Sequence, residues 1–304
     1  MPVQPDPSYV GRFAPSPTGP LHFGSFVAAL ASWLDARAAG GRWMLRMEDL
    51  DRPRLKSGSA DRILAQLDGA GLHWDGDVVW QSRRLELYRA ALERLTSMGA
   101  TYWCACTRKE IADSAIVRQA PDGAGVYTGT CRGGFARGKS PRAIRLRTGP
   151  EPITFVDRVQ GEVTQSVERE VGDFVVFRAD GTFAYQLAVV VDDAEQGVTD
   201  VVRGADLMDS TPRQIHLQRL LGLPRPRYLH VPVAVTAAGE KLSKQSDAAE
   251  GSAGDLRPAL AFLGHAAPAG VADDELLDWA RRNWNPDAIP RRRTVSVDAA
   301  ARSP

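Results

Sequence analysis

Residues 11–25, GRFAPSPTGPLHFGS, constrain the fold of this chain more than any other segment. The apolar run at residues 9–13 predicts a short strand, which the prolines that follow it end, because proline cannot continue a central ladder. Apolar residues then recur at helical spacing over residues 26–39, with Ser25 as the predicted N-cap. In open α/β sheets, a strand followed by a Pro/Gly-rich turn and a helix start presents backbone N–H groups to a phosphate.

Two residues at that helix start suit nucleotide chemistry. Gly24 lets the backbone come close to a nucleotide, and His22 can donate a hydrogen bond to a phosphoryl oxygen during transfer. A single histidine near a helix start is also a common cap or packing residue, so the residue alone leaves both roles open.

Strands and helices alternate along the chain. Strands are predicted at residues 42–47, 185–193, 198–207 and 225–235, and helices at 56–70, 82–98 and 213–221. This alternation predicts an α/β fold with a doubly wound parallel sheet. The run YQLAVVVDD at 185–193 is so continuously apolar that we expect a buried parallel strand there.

Acidic residues follow the strand at 42–47, beginning with Glu48. The carboxyl end of a parallel strand is where such folds place their ligand contacts. A carboxylate at this position would select a charged amine, although the acidic residues could instead cap the helix that follows Pro53.

Composition limits the class of protein. The chain has 304 residues, of which 43% are hydrophobic and 25% charged, and its net charge is +1. These values fit one sizeable globular domain with an insertion or a small second domain, and they exclude a globally basic nucleic-acid binder. No apolar run reaches the roughly 20 residues that span a bilayer, and the N-terminus lacks a signal pattern. We therefore expect a cytoplasmic protein without a membrane partner.

The three cysteines predict free thiols or a metal site rather than a disulfide framework. Cys104 and Cys106 flank a single alanine, and Cys131 follows after a loop. Such a knuckle can place both sulfurs on one metal ion with the third thiolate nearby, yet three ligands are one short of a closed tetrahedral zinc site. The residues alone leave both possibilities open.

The segment around the cysteines differs from the rest of the chain. Short alternating runs over residues 143–183 predict a β-rich insertion. Six cations lie within residues 132–147, and Arg291, Arg292 and Arg293 form a second run. Either run could bind phosphates of a nucleic acid or could be an ordinary solvated face.

A lysine-rich loop closes the second half of the predicted sheet. It reads KLSKQ at residues 241–245 and follows a Gly-containing turn. A mobile loop of this kind can close over a triphosphate and neutralise charge as the α-phosphoryl group is attacked. Lys244 is the residue we expect to stabilise the pyrophosphate.

Two of these segments together resemble the signatures of the class I aminoacyl-tRNA synthetases. His22-Phe23-Gly24-Ser25 is similar to the HIGH motif, with Ser in place of the final His, and residues 12–19 (RFAPSPTG) resemble the glutamyl-type version of it. Residues 241–245 resemble KMSKS, with Gln at the last position. The resemblance covers residues 9–245 and implies a Rossmann-type nucleotide-binding core, with ATP, Mg²⁺ and glutamate as ligands and a tRNA partner.

The resemblance also implies roles for individual residues. It places the glutamate ligand against Arg12, Phe13, Ala14, Pro15, Ser16, Glu48, Tyr185 and Arg203. Of these, Glu48 would hold the amino group, Arg12 and Tyr185 the side-chain carboxylate, and Arg203 the other carboxylate. ATP would contact His22, Gly24, Lys241, Ser243 and Lys244, with His22 and Lys244 acting in catalysis.

The same resemblance supplies a fourth ligand for the cysteines. Glutamyl-type enzymes of this sort carry a C-x-C…Y-x3-C zinc site, and Tyr127 is the matching phenol for Cys104, Cys106 and Cys131. Four protein ligands form a closed shell, so the zinc would be structural. The resemblance also implies that the insertion, which carries the zinc, binds the acceptor end of a tRNA.

The expected domains are a first half of the catalytic core (1–100), a zinc-containing insertion (101–182), a second half of the core (183–245) and a short helical region (246–304). A complete glutamyl- or glutaminyl-tRNA synthetase needs a large anticodon-binding region after the lysine loop, and these last residues are too few for one. The chain thus resembles the glutamyl-queuosine tRNA(Asp) synthetase family, whose members activate glutamate with ATP and attach it to queuosine in tRNA(Asp).

Three other functions remain as alternatives. The first is a small glutamyl-tRNA synthetase that charges tRNA(Glu), and the second is an inactive tRNA-binding paralogue. The third is a simple nucleotidyltransferase of the same superfamily. Whichever of these functions the protein has, we expect it to be a monomer.

Overall fold

The computed structural model describes residues 8–113, 125–241 and 255–297. Nine α-helices lie within these ranges: α1 (Phe23–Ala38), α2 (Ser59–Gly69), α3 (Leu85–Ser97), α4 (Arg108–Asp113), α5 (Val167–Glu170), α6 (Tyr185–Glu195), α7 (Thr211–Leu221), α8 (Leu256–Phe262) and α9 (Leu276–Arg282). The strands are β1 (Val10–Phe13), β2 (Arg42–Met47), β3 (Val79–Trp80), β4 (Thr101–Cys104), β5 (Ala143–Leu146), β6 (Ile153–Asp157), β7 (Gly161–Gln165), β8 (Val175–Phe177), β9 (Asp200–Gly204), β10 (Arg227–Val231), β11 (Val233–Val235) and β12 (Thr294–Ser296).

Two sheets, one parallel and one mixed, form the core. One has the order β1-β2-β3, and the other runs β7-β6-β10-β9 with β7 antiparallel to β6. They meet where the N–H of Thr199, just before β9, donates to the carbonyl of Val10 in β1. Across the two sheets the strands therefore lie in the order β3-β2-β1-β9-β10. Strands that follow β1 in the chain are added on one side of it and those that follow β9 on the other side, so the direction of addition reverses between β1 and β9. In open α/β sheets, ligands bind in the crevice at such a reversal.

The predicted insertion is divided between two sheets. The strands β4, β5 and β8 form an antiparallel sheet of their own. The hairpin of β6 and β7 instead extends the core sheet, because Asp157 of β6 pairs with Tyr228 of β10. The fold is α/β with mixed sheets, while the domain boundaries at residues 100, 182 and 245 stay predictions.

The predicted strand at 185–193 is wrong, because these residues form helix α6. Its residues from Gln186 to Asp193 are all buried, so the helix has no polar face and no 3.6-residue periodicity to reveal it. A short apolar run cannot be assigned to strand or helix by pattern alone, and here the β-branched valines favoured the wrong choice.

The predicted N-cap Ser25 is also wrong. Helix α1 begins at Phe23 and its N-cap is His22, whose Nδ1 accepts a hydrogen bond from the N–H of Ser25 at 3.3 Å. An imidazole nitrogen thus takes the capping role that a hydroxyl or carboxylate usually has. The strand predicted over 225–235 is interrupted once, at Pro232, between β10 and β11.

The C-terminal segment packs against helix α1. The indole N–H of Trp284 donates to the buried carboxylate of Asp35 in α1 at 2.9 Å, and the indole stacks on His265 at 4.7 Å. Phe262 of α8 meets Phe23 of α1 edge-to-face at 5.7 Å. None of the described helices is long and apolar enough to span a membrane.

Replacing Trp284 with alanine is expected to lower the free energy of unfolding by about 3–5 kcal/mol, because it opens a cavity and removes one of the buried hydrogen-bond donors to Asp35. Trp103→Ala is the matched control, since that indole is 48% exposed and its loss should cost about 1 kcal/mol or less. Urea denaturation of both variants measures the difference. Equal losses would show that Trp284 does not anchor the C-terminal segment.

Candidate active site

A cleft of about 290 Å³ opens at the carboxyl ends of β1 and β9, where the strand order reverses. The turn from residue 14 to residue 21 covers one side of it. Gly19 in this turn has a φ of +150°, a conformation that a side chain disfavours. All predicted site residues within the described ranges, apart from the cysteine cluster, line this cleft: Arg12, Phe13, Ala14, Pro15, Ser16, His22, Gly24, Glu48, Tyr185, Arg203 and Lys241. Ser243 and Lys244 lie outside the described residues.

Two buried guanidinium groups reach the cleft, and their partners differ. The Nε of Arg12 lies 3.3 Å from a carboxylate oxygen of Asp193, so its charge is partly balanced within the protein. Arg203 donates instead to neutral acceptors: the hydroxyl of Tyr185 at 3.3 Å, the hydroxyl of Thr211 at 2.8 Å and the Nε2 of His230 at 3.1 Å. Among the described residues no carboxylate pairs with Arg203, so its charge is available to an anionic ligand.

Glu48 supplies a buried negative group in the cleft. It follows β2 directly and is buried, with one carboxylate oxygen 3.4 Å from a guanidinium nitrogen of Arg46. Burial raises the pKa of Glu48 to about 7, although Arg46 and Arg12 counteract the rise. An ammonium group placed beside it would restore the ionised form, because an opposite charge favours the carboxylate.

At the start of α1, His22 is held in one tautomer. Its Nδ1 accepts from the backbone N–H of Ser25, which places the ring proton on Nε2, 3.0 Å from the Ser25 hydroxyl oxygen. Gly24 contributes no side chain beside the imidazole. The helix N-terminus and the imidazole thus face the cleft together, as a site for phosphate oxygens requires.

Lys241 lies at the rim of the cleft, where the lysine loop begins. Its ammonium forms an ion pair with the carboxylate of Asp206 at 2.5 Å, and both side chains are about half exposed to solvent. Such a pair is weak enough to exchange for a phosphate ligand.

The three cysteines converge beyond β4. Their sulfurs all lie within 4.8 Å of one another, and Cys106 and Cys131 are 3.5 Å apart. The phenol oxygen of Tyr127 lies 3.4 Å from the sulfur of Cys104 and 3.7 Å from that of Cys106. Four ligands at zinc–sulfur bonds of about 2.3 Å would be about 3.8 Å apart in a tetrahedron, so the donor set has the spacing of a zinc shell.

The surroundings of this cluster favour the anionic form of Cys104 but not of Cys106 or Tyr127, because burial raises the pKa of the Cys106 thiol to about 11 and raises that of the Tyr127 phenol well above its usual value. The guanidinium of Arg145 stacks 3.7 Å from the centre of the Tyr127 ring. Although burial opposes it, hydrogen bonding to Tyr127 and Arg145 lowers the pKa of the Cys104 thiol to about 7. A thiolate is the form that binds metal.

Comparison with known proteins identifies the family. The family model for the catalytic domain of class I tRNA synthetases (E and Q) matches residues 9–257. A glutamyl-Q tRNA(Asp) synthetase from Dechloromonas aromatica is 55% identical over 96% of this chain and 99% of its own length. One from Chromobacterium violaceum is 57% identical over 93% and 95%.

The chain belongs to the glutamyl-Q tRNA(Asp) synthetase family of class I tRNA synthetases. A solved structure adds agreement on the fold: a glutamate tRNA ligase from Elizabethkingia meningosepticum, in complex with its amino acid, superposes with a TM-score of 0.77. It is 23% identical, and the match covers 96% of this chain and 68% of that one. The class I tRNA synthetase fold expected from the sequence signatures is thereby confirmed, whereas zinc in the insertion stays a prediction.

Several polar residues beside the cleft escaped the sequence reasoning. Asp193 and Arg46 form an ion pair at 2.8 Å below Arg12 and Glu48. Asp157 and His230 lie behind Arg203. The acidic end of the apolar run at 185–193 was the available signal for Asp193, because a buried carboxylate needs a cationic partner. His230 and Asp157 carry no such signal.

Proposed function

We propose that this protein activates glutamate with ATP and transfers it to queuosine at the wobble position of tRNA(Asp). One observation carries the proposal: the two relatives named above, both called glutamyl-Q tRNA(Asp) synthetase, are 55% and 57% identical over nearly the full length of both chains. Neither a small glutamyl-tRNA synthetase, an inactive paralogue nor a nucleotidyltransferase is favoured by these relatives.

The charges of the cleft suit glutamate. Its two carboxylates match Arg12 and Arg203, and its ammonium matches Glu48. The family resemblance of the sequence pairs Tyr185 with Arg12, but because the Tyr185 hydroxyl lies 3.3 Å from Nη1 of Arg203, we propose that it donates its proton to the carboxylate that Arg203 binds. Phe13, Ala14, Pro15 and Ser16 form the wall against which the amino acid would lie.

The first step joins glutamate to AMP. The α-carboxylate oxygen attacks the α-phosphorus of ATP, the bond to the bridging oxygen breaks, and pyrophosphate leaves with the electron pair. In this proposal the Nε2–H of His22 and the N-terminus of α1 stabilise the phosphoryl oxygens, and Gly24 leaves room for the nucleotide. Lys241, Ser243 and Lys244 would hold the phosphates, with Mg²⁺ arriving as part of the ATP complex.

In the second step a hydroxyl of queuosine attacks the carbonyl carbon of glutamyl-adenylate. An ester forms, AMP leaves, and the hydroxyl proton passes to the leaving phosphate or to solvent. Neither step requires a covalent bond to the protein, so the side chains act by binding and charge stabilisation.

We also propose that Cys104, Cys106, Tyr127 and Cys131 bind one zinc ion. A shell of four protein ligands leaves no position for substrate, so the ion would stabilise the segment that connects β4 with β5. The protein would act in the cytoplasm, where its tRNA partner is found, and as a monomer, because one chain supplies all the cleft residues named above.

The direct test supplies labelled glutamate, ATP and Mg²⁺ together with one of three RNAs: tRNA(Asp) with queuosine, tRNA(Asp) without it, or tRNA(Glu). We expect label on queuosine-containing tRNA(Asp) alone. Label on tRNA(Glu) would instead establish an ordinary synthetase. Absence of label and of pyrophosphate exchange in every arm would overturn the enzymatic proposal.

The pKa of Glu48 predicts a pH dependence. Only its carboxylate form binds the ammonium of glutamate, so kcat/KM for glutamate should rise roughly tenfold between about pH 6 and about pH 8 as a group of pKa about 7 loses its proton. Glutamate keeps its own ammonium charge over this interval, and the rise should level off above it.

Glu48→Gln should lower kcat/KM and abolish this rise. Glu86→Gln on α3, an exposed carboxylate paired with Arg89, is the control and should keep the wild-type profile. A flat wild-type profile, or a Glu48→Gln enzyme with the same rise, would contradict the role of Glu48.

Zinc analysis of the purified protein is expected to give one ion per chain. Cys106→Ser should lose the ion and reduce the thermal unfolding temperature. Tyr127→Phe should retain zinc with weaker affinity, since three thiolates remain. Wild-type protein that stays metal-free after incubation with zinc would rule the site out.

A further inference from the structure

A chain of hydrogen bonds runs across three neighbouring strands to Arg203. The carboxylate of Asp157, at the end of β6, lies 2.6 Å from Nδ1 of His230 in β10. Nε2 of His230 in turn lies 3.1 Å from Nε of Arg203 in β9. All three side chains are buried. The strand pairing fixes this alignment, because His230 is the partner of Arg203 in the register of β9 and β10.

The donors of Arg203 are almost fully committed. A guanidinium carries five N–H donors. His230 accepts from Nε, Leu207 and Thr211 accept from Nη2, and Tyr185 accepts from Nη1. One proton of Nη1 remains, next to the Tyr185 hydroxyl and the cleft. The direction in which this remaining N–H bond points depends on which acceptors bind Nε and Nη2.

Asp157 determines which nitrogen of His230 carries the proton. Its Oδ1 accepts from the backbone N–H groups of Val159 at 3.0 Å and Gln160 at 2.8 Å, and from that of His230 at 3.2 Å. Its Oδ2 is thereby directed at Nδ1. The imidazole donates from Nδ1, which leaves the lone pair of Nε2 to accept from Arg203.

The imidazole stays neutral in this position. Burial and the Arg203 charge lower the pKa of His230 to about 4. The hydrogen bond from His230 lowers the pKa of Asp157 despite its burial, so the carboxylate remains ionised. The chain is therefore a carboxylate, a neutral imidazole and a guanidinium across the physiological pH range.

We propose that Asp157 and His230 are positioning residues for substrate binding: Asp157 fixes the tautomer of His230, and His230 orients the guanidinium of Arg203 so that Nη1 and the Tyr185 hydroxyl together receive one carboxylate of glutamate. The inference rests on the proposed function of Arg203 and adds two residues that do not touch the substrate. Their contribution is to the affinity for glutamate and leaves the ATP site unchanged.

Asp157→Asn is a sharp test, because it replaces one carboxylate oxygen with an NH2 group, which removes the negative charge and changes almost no volume. The backbone donors of Val159 and Gln160 keep the amide oxygen at the position of Oδ1, so the amide nitrogen faces Nδ1 as a donor. His230 must then carry its proton on Nε2, where it opposes the N–H of Arg203. Thr211, 3.4 Å from Nε2, is the remaining acceptor for that proton.

The first readout is the tautomer of His230, measured by long-range ¹⁵N–¹H correlation in ¹⁵N-histidine-labelled protein. We expect the Nδ1–H form in the wild type and the Nε2–H form in Asp157→Asn. This measurement does not depend on any enzymatic activity. A wild type with the proton on Nε2 would overturn the proposal.

The second readout is pyrophosphate exchange dependent on glutamate, with and without tRNA(Asp). Asp157→Asn should raise KM for glutamate at least about tenfold and change KM for ATP less than about twofold. Tyr228→Phe is the matched control: its ring stacks on His230 at 6.2 Å, but its hydroxyl contacts Gln218 and not the chain. It should keep the wild-type KM for glutamate.

Two substitutions of His230 distinguish the effect of its hydrogen bond to Arg203 from that of its hydrogen bond to Asp157. His230→Gln places a carbonyl oxygen near the position of Nε2 and can still accept from Arg203, whereas His230→Asn keeps only a donor near Nδ1. We expect the smaller rise in KM for glutamate in His230→Gln. Equal values for both, or an unchanged KM in Asp157→Asn with a switched tautomer, would show that the chain does not position Arg203.

A failure of the proposed function is distinguishable from these results. If wild-type protein exchanges no pyrophosphate with glutamate, with or without tRNA, the substrate role of Arg203 is overturned. The tautomer measurement would then still establish whether Asp157 controls His230.

Discussion

Two adjacent aspartates of helix α6 hold Arg12, which lines the cleft, and two further arginines that lie behind it. Asp193 pairs with Arg12 of β1 and Arg46 of β2, while Asp192 accepts from Arg84 at 2.7 Å and lies 3.7 Å from Arg46. Buried charges are tolerated only when they are paired and hydrogen-bonded, so removing one member leaves its partners uncompensated. The position of α6 against the β1 and β2 strands is therefore tied to the positions of the substrate-facing side chains.

In this arrangement the two guanidinium groups of the cleft differ in how far the protein balances their charge. Arg12 shares its charge with Asp193, whereas Arg203 is surrounded by neutral acceptors. Burial raises the pKa of Glu48 to about 7, although Arg46 and Arg12 counteract the rise. In the proposed function, a ligand with two carboxylates and one ammonium would satisfy all three groups at once and so compensate the cost of these buried charges.

The C-terminal segment contributes to the same half of the molecule. Trp284 reaches Asp35, which also accepts from Tyr9 and from Arg158. Strand β12 pairs in parallel with β11, at the end of which the lysine loop begins. The C-terminal segment thus packs on α1, the helix at the HIGH-like motif, and on β11, the strand that precedes the KMSKS-like loop.

Local sequence signals were sufficient to predict the elements that begin or end near proline, glycine or helix-capping residues. Strands β1 and β2 were predicted almost to the residue, and α7 begins after Ser210 and ends at Gly222, whose φ of +58° suits a helix C-terminus. The signatures also identified the residues that line the cleft, because their side-chain chemistry is specific and their separation along the chain is typical of the family.

The sequence could not determine what depends on surroundings. The run at 185–193 is a helix that is enclosed on every side, and hydrophobic periodicity cannot distinguish such a helix from a buried strand. His22 caps α1 only because the turn before it places the imidazole over the first helical N–H groups. The partners of Arg203 come from elements far apart in the chain, so only the pairing of β6, β10 and β9 brings Asp157 and His230 to it. Sequence determined which chemical groups the site has, and tertiary structure decided which of them are paired, because burial and strand register set the distances between charges.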